Sequence, residues 1–270
     1  ILFHFHGIGE RGNTETSLAS VANLGPPYYV KTGYQFPFIV ISPQLKTTFG
    51  DWPPWYIDEV VEHVRTYLRI DPKRMYFTGL SLGGGGAWYY AQDYPGKIAA
   101  LAVICGSRNL TSRACNLTAT NMPVWAFHGD NDSVVPMSRT VNMINAINAC
   151  TPGPNPAPIQ TIYPGAWHDI WWQAYRTDNS LHTPNVYQWM MGHTNNSFAT
   201  ANAGPDRVVT LPTATLSITA TASSTVGSIV AYKWIKTKGP AVTMAGSTTA
   251  TLNLSGLVEG EYTFRVYART

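Results

Sequence analysis

Along residues 1–192 the hydrophobic pattern switches between short continuous apolar runs and stretches in which apolar side chains recur every three or four positions. Residues 1–5 form an apolar run that breaks into the glycine-rich turn His6-Gly7-Ile8-Gly9, which predicts a strand followed by a turn. The polar stretch containing Pro26-Pro27 reads as loop, and residues 38–42 as a second short strand. Ile57, Val60, Val61, Val64 and Leu68 keep helical spacing, with Asp58 and Glu59 early and Arg65 and Arg69 late. A helix over 57–70 follows, stopped by Asp71-Pro72. Apolar runs at 75–78, 98–105, 122–128 and 159–163 read as buried strands. Residues 82–93 and 137–149 read as helices between them, and 170–191 as a broken helix. Strands alternating with helices predict an α/β fold, a mostly parallel sheet with helices on both faces.

Near His193 the character changes. Residues 195–203 are small and polar and read as a linker. Beyond them helical spacing disappears, and short β-type runs at 208–211, 216–220, 229–235, 241–244, 251–254 and 262–267 alternate with Gly, Pro and Ser turns. This predicts a small all-β sandwich over 204–270 after an α/β domain over 1–194, its core built around Trp234 with Leu252, Leu254, Tyr262, Phe264 and Val266.

Composition narrows the function classes. Charged residues make up only 12% of the 270, about half the usual share, as is common in secreted proteins. The net charge of +3 is too small and scattered for a nucleic-acid partner. No apolar stretch is long enough to span a bilayer, which argues against a membrane partner. The sequence begins and ends inside β-type runs, so the expectation is a monomeric piece of a longer multidomain chain, and the lack of a leader peptide carries no weight. Cys105 closes an apolar run and reads as a buried free thiol. Cys115, in a polar loop, and Cys150, just past a helix, are expected to be bridged, in keeping with an oxidising compartment.

The chemistry centres on Gly79-Leu80-Ser81-Leu82-Gly83, a G-x-S-x-G pattern with a strand before it and a helix after it. That context is a nucleophile elbow, which presents a serine hydroxyl on a tight strand-to-helix turn. A serine needs a base within hydrogen-bond reach and a carboxylate to orient that base. After the strand at 122–128 come Asp130 and Asp132; after the strand at 159–163 comes His168. The order Ser, acid, His is that of α/β-hydrolases. Leu82, the residue after the nucleophile, supplies one oxyanion N–H. His4 and His6 alternate on a strand without a third ligand nearby, so neither a metal nor a cofactor is expected. Glu10 and Arg11 are expected to tie the adjacent turn down by a salt bridge. Trp52, Trp55, Tyr56, Trp125, Trp167, Trp171 and Trp172 divide between core and an aromatic cleft. Trp52, Trp55, Trp125, Trp167 and Trp171 are the candidate substrate contacts.

Residues 6–12 (HGIGERG), 71–74 (DPKR), 79–83 (GLSLG), 125–132 (WAFHGDND) with Val135-Pro136, and 165–168 (GAWH) together resemble a secreted α/β-hydrolase of the feruloyl esterase, polyhydroxybutyrate-depolymerase-like and dienelactone-hydrolase-like group. The resemblance implies Ser81 as nucleophile, Asp132 as acid, His168 as base and Ile8 as the second oxyanion donor. Members usually carry one or two further strands before the His-Gly turn, and here the chain starts at that strand. Residues 203–206 (AGPD), Leu211-Pro212, 232–234 (YKW), 238–240 (KGP) and 257–264 (LVEGEYTF) resemble a PKD or related immunoglobulin-like module, cut short before its usual closing Asp. Such modules occur in extracellular bacterial proteins, which implies a spacer role or polymer binding. The expected activity is a serine esterase on feruloyl or acetyl groups of plant polysaccharide. The competing readings are a serine peptidase on the same scaffold and a non-catalytic polysaccharide-binding protein.

Overall fold

The computed structural model describes residues 1–108, 110–195, 199–224 and 228–269. The chain divides into two compact units, Ile1–Glu62 with Ile70–Asn196, and His63–Arg69 with Ser197–Thr270. In the first unit six strands, β1 (Leu2–Phe5), β2 (Val40–Ile41), β3 (Tyr76–Leu80), β4 (Ala100–Ile104), β5 (Val124–Gly129) and β6 (Ile159–Tyr163), form one sheet in the order β2-β1-β3-β4-β5-β6. Every neighbouring pair is parallel. β1, β3, β4 and β5 are buried along their whole length, as continuous apolar strands covered on both faces must be. β6 closes one edge and is partly exposed.

The helices are α1 (Gly25–Lys31), α2 (Pro54–Tyr67), α3 (Leu82–Asp93), α4 (Cys115–Thr118), α5 (Ser138–Asn148), α6 (Trp171–Ala174) and α7 (Val186–Met191). α1 replaces the loop expected around Pro26-Pro27. Both prolines sit in its first turn, where a missing N–H costs nothing and a fixed φ favours the helix. The second strand shrinks from the expected 38–42 to the two residues of β2. The broken helix expected over 170–191 is α6 and α7, and α7 opens with a capping box built by Asn185 and Gln188. A core cluster beside the sheet joins Leu80, Ile104 and Phe127 to Ile170, Tyr175 and Tyr187. Cys115 and Cys150 are bridged, with Cα atoms 5.4 Å apart, and Cys105 is a buried free thiol.

The second unit is all-β: β7 (Thr200–Asn202), β8 (Thr215–Thr219), β9 (Thr221–Ser223), β10 (Ala231–Lys238), β11 (Thr243–Ala245), β12 (Thr251–Ser255) and β13 (Thr263–Arg269). They pair antiparallel as β10-β13, β11-β12-β8 and β7-β9. Of the stretch 195–203 expected as linker, 196–198 lie outside the described residues and Thr200–Asn202 is β7. Residues 208–211, expected as a strand, make none: Val208 is 96% exposed, so its β-branched side chain has no face to pack on. Trp234, Leu252 and Leu254 are buried together, with Phe264 and Val266 packed against them. Tyr262 instead turns its hydroxyl to the backbone of Val258.

Candidate active site

Ser81 stands between β3 and α3 with φ 51° and ψ −116°, a conformation that costs a non-glycine residue about 1–3 kcal/mol and must be held by its surroundings. Its N–H donates to Ile104 O at 2.9 Å, and its carbonyl accepts Ser107 N–H at 2.9 Å, so the end of β4 and the loop that follows it hold the turn on both sides. The two glycines of the motif are required by space. A Cβ on Gly79 would lie 2.3 Å from Gly83 O, and one on Gly83 would lie 2.0 Å from Phe5 O.

His168 follows β6 and brings both ring nitrogens into use. Its Nδ1 lies 2.6 Å from Asp132 Oδ2 and its Nε2 lies 2.9 Å from Ser81 Oγ. With Asp132 ionised, Nδ1–H donates to the carboxylate and Nε2 accepts the serine hydroxyl. The edge of Trp171 meets the imidazole at 5.6 Å and 89°, limiting its rotation. Asp132 Oδ1 accepts the N–H groups of Val134 at 2.9 Å and Val135 at 2.8 Å, a local turn that fixes the side chain and leaves Oδ2 for His168. Burial alone would push this carboxyl up. The hydrogen bond from His168 and the two backbone donors outweigh it and hold Asp132 below its ordinary value, ionised at neutral pH. Asp130 serves the neighbouring loop by accepting Gly165 N–H at 2.6 Å.

His128, which the sequence pattern left without a role, stands directly behind Asp132. Its Nε2 lies 2.9 Å from Val135 O and its Nδ1 2.8 Å from Thr140 Oγ1. A carbonyl can only accept, so Nε2 carries the proton and Nδ1 accepts from the threonine. The same Nε2 is 3.2 Å from Asp132 Oδ2. Burial lowers the imidazole below its ordinary value and keeps it neutral. The signal available in the sequence was its place in the His-Gly-x-x-Asp run.

Ile8 and Leu82 share a structural position: each is the first residue of a helical turn, Ile8–Glu10 of 3₁₀ type and α3, where N–H groups have no partner within the helix. Gly7 lies against the elbow, since a Cβ added to it would come 3.8 Å from Ser81 Cβ. Arg11 secures the 3₁₀ turn through carbonyls, donating to Ile8 O at 3.2 Å and Phe49 O at 2.9 Å, in place of the salt bridge expected with Glu10.

The five candidate tryptophans separate. Trp52 is fully buried among Phe5, His6 and Tyr56, and donates its Nε1–H to His6 O, so it offers no face to a ligand. Trp125 is 6% exposed, stacked on Phe127 and bonded to Thr161 Oγ1. Both are core, because a large indole with a satisfied N–H is as well placed inside as at a cleft. Trp167 is 61% exposed beside His168, Trp55 is 51% exposed at the start of α2, and Trp171 touches the imidazole. Cys105, Asp132 and His168 bring three donor atoms within 4.8 Å of one another. Burial drives the Cys105 thiol far up, and Asp132 and His168 are already bonded to each other, so this set does not suit a metal ion.

Residues 55–179 match the dienelactone hydrolase family, and residues 203–270 match the K319L-like PKD domain. The chain is 24% identical over 133 residues to a bifunctional acetylxylan esterase/xylanase of Neocallimastix patriciarum, covering 47% of this chain and 19% of that protein. It is 26% identical over 141 residues to a probable feruloyl esterase C of Aspergillus clavatus, covering 51% of each. The chain thus spans about half or less of the length of these relatives. Among solved structures, a thermostable esterase shares the fold with a TM-score of 0.56 at 23% identity, over 72% of this chain and 54% of that one.

Proposed function

We propose that this chain, which joins a dienelactone-hydrolase-type α/β-hydrolase domain to a PKD domain, is a serine carboxylic-ester hydrolase acting through an acyl-enzyme. The observation that carries the reading is the hydrogen-bonded line Ser81 Oγ, His168 and Asp132, at 2.9 Å and 2.6 Å, on a strained elbow. Ser81 Oγ attacks the ester carbonyl carbon while its proton passes to His168 Nε2, and the ionised Asp132 stabilises the resulting imidazolium. The carbonyl oxygen becomes an oxyanion and takes the N–H groups of Ile8 and Leu82. Collapse of this intermediate expels the alcohol with the proton from Nε2. Water, activated by the same nitrogen, then releases the acid and restores Ser81.

Two exposed apolar groups beside the site and the names of the relatives support a reading of the substrate class. Ile8, next to Gly7 at the elbow, and Trp167, next to His168, are exposed apolar groups suited to an aromatic acyl group or a sugar ring. The relatives' names point to acetylxylan and feruloyl esters. We therefore assign acetyl or feruloyl esters on plant polysaccharide as substrates, and a spacer role to the PKD domain. The Cys115–Cys150 bridge supports an extracellular location. Among the described residues no helix is long and apolar enough to cross a membrane. The test is a substrate panel of acetyl, feruloyl and long-chain acyl esters beside peptide anilides. Turnover of the acetyl or feruloyl esters is expected; faster cleavage of the anilides would replace this reading with a peptidase.

A further inference from the structure

His6 leads into the turn that carries Ile8 and is buried, with 1% of its surface exposed. Both ring nitrogens are engaged: Nδ1 lies 2.6 Å from Gly7 O, and Nε2 lies 3.0 Å from Leu45 N. A carbonyl only accepts and an amide N–H only donates, so Nδ1 carries the proton and Nε2 the lone pair. The ring is clamped from the side by Trp52, whose indole meets it at 4.9 Å and 66° while Nε1–H donates to His6 O at 3.1 Å. The buried tryptophan that offers no face to a ligand therefore fixes this imidazole.

Gly7 C=O and Ile8 N–H are the two ends of one planar trans peptide group and point in opposite directions, so whatever fixes the carbonyl also aims the N–H. We propose that His6 is a positioning residue for the oxyanion site: its Nδ1–H, bonded to Gly7 O, locks the Gly7–Ile8 peptide plane so that Ile8 N–H faces the oxyanion formed at Ser81. The proposal rests on the esterase reading above. Withdrawing charge through the carbonyl also makes the same peptide's N–H a stronger donor. Burial lowers the imidazole to about 4, against the opposing effect of the Gly7 bond, so at neutral pH the ring keeps the lone pair that Leu45 N–H needs.

Two variants separate positioning from bulk stability. His6→Asn places an amide nitrogen near the position of Nδ1, keeping a donor for Gly7 O while losing the acceptor for Leu45 N–H. His6→Gln reaches the position of Nε2 and leaves Gly7 O without its donor. For each, kcat and KM on p-nitrophenyl acetate, Tm, and the rate of fluorophosphonate labelling of Ser81 are measured. His6→Gln is expected to lower kcat by about 10- to 100-fold, less than the roughly 10²- to 10³-fold loss on deleting an oxyanion donor, with KM changed by less than about 3-fold. His6→Asn is expected to retain most of kcat even at an equal or lower Tm. Equal loss in both variants, or an unchanged kcat in His6→Gln, overturns the proposal. Absence of Ser81 labelling in the wild-type chain overturns the esterase reading and the proposal with it, whereas normal wild-type labelling beside an unaffected His6→Gln removes only the role of His6. A readout without mutation is the ¹⁵N spectrum of His6 in the wild-type chain. A protonated Nδ1 and bare Nε2 are expected between about pH 6 and 8, and the opposite tautomer contradicts the proposal.

Discussion

Asp132→Asn exchanges one carboxylate oxygen for an amide nitrogen without changing the shape of the side chain, and the structure dictates where that nitrogen goes. Oδ1 accepts two backbone N–H groups, from Val134 and Val135, so the amide oxygen must stay there. The NH₂ group then occupies the place of Oδ2, 2.6 Å from His168 Nδ1 and 3.2 Å from His128 Nε2. Facing a donor, His168 turns its lone pair to Nδ1 and shifts its proton to Nε2, which lies 2.9 Å from Ser81 Oγ and can no longer accept the serine proton. The imidazolium also loses its carboxylate partner. A wrong tautomer of this kind costs about 10⁴ in kcat, equivalent to about 5.5 kcal/mol of barrier. The turn bonds survive, so Tm is expected to fall less than in Asp132→Ala, which loses both; some loss is expected in each, because the amide nitrogen faces the Nε2–H of His128 and the stabilised carboxylate charge is gone. The assay is kcat and KM on p-nitrophenyl acetate with Tm followed by circular dichroism. An Asp132→Asn variant with kcat within tenfold of wild type would refute the tautomer argument.

Three further outcomes are expected. Replacing Cys115 and Cys150 together by serine reopens a bridge of sequence separation 35, which the loop-entropy relation puts at about 4 kcal/mol; an unfolding free energy from urea titration that falls by less than about 1 kcal/mol would count against it. His4 and His6 are buried neutral, lowered to about 3 and about 4 by burial, so the unfolded chain binds more protons than the folded one below pH 6.5. Stability is therefore expected to fall as pH drops from 6.5 towards 4, by a few kcal/mol for the pair. Equal urea midpoints at pH 7 and 4.5 would contradict it. Trp167→Ala is expected to raise KM for methyl ferulate by about 3- to 10-fold, as loss of an aromatic contact does, and to leave p-nitrophenyl acetate nearly unchanged. Equal effects on the two substrates would place Trp167 outside the acyl site.

What was legible in the sequence was what depends on local order. The Gly79–Ser81–Gly83 spacing, the acids after β5 and the histidine after β6 could be placed because each follows a strand whose apolar run is plain, and parallel strands bring such positions to one edge of the sheet. Burial of aromatic residues was not legible in the same way. Trp52 and Trp55 are three residues apart, yet one is fully buried and the other half exposed, and hydrophobicity does not separate them. Nor was the work of His6 and His128, whose partners Leu45 and Thr140 come from other segments of the chain and are revealed only by the fold. α1 was hidden because prolines break a helix interior but favour its first turn, and the two cases look alike without knowledge of where the helix starts.

The central claim is that Ser81 is the nucleophile of an ester hydrolase. The most direct measurement is intact-mass and peptide mapping of the chain after reaction with a fluorophosphonate, run beside ester turnover by wild type and Ser81→Ala. One adduct on the peptide carrying Ser81, with loss of ester turnover in step with labelling and a Ser81→Ala variant at least about 10³-fold slower, is the expected result. An adduct on another residue, or a Ser81→Ala variant that keeps more than a few per cent of wild-type turnover, would contradict the account.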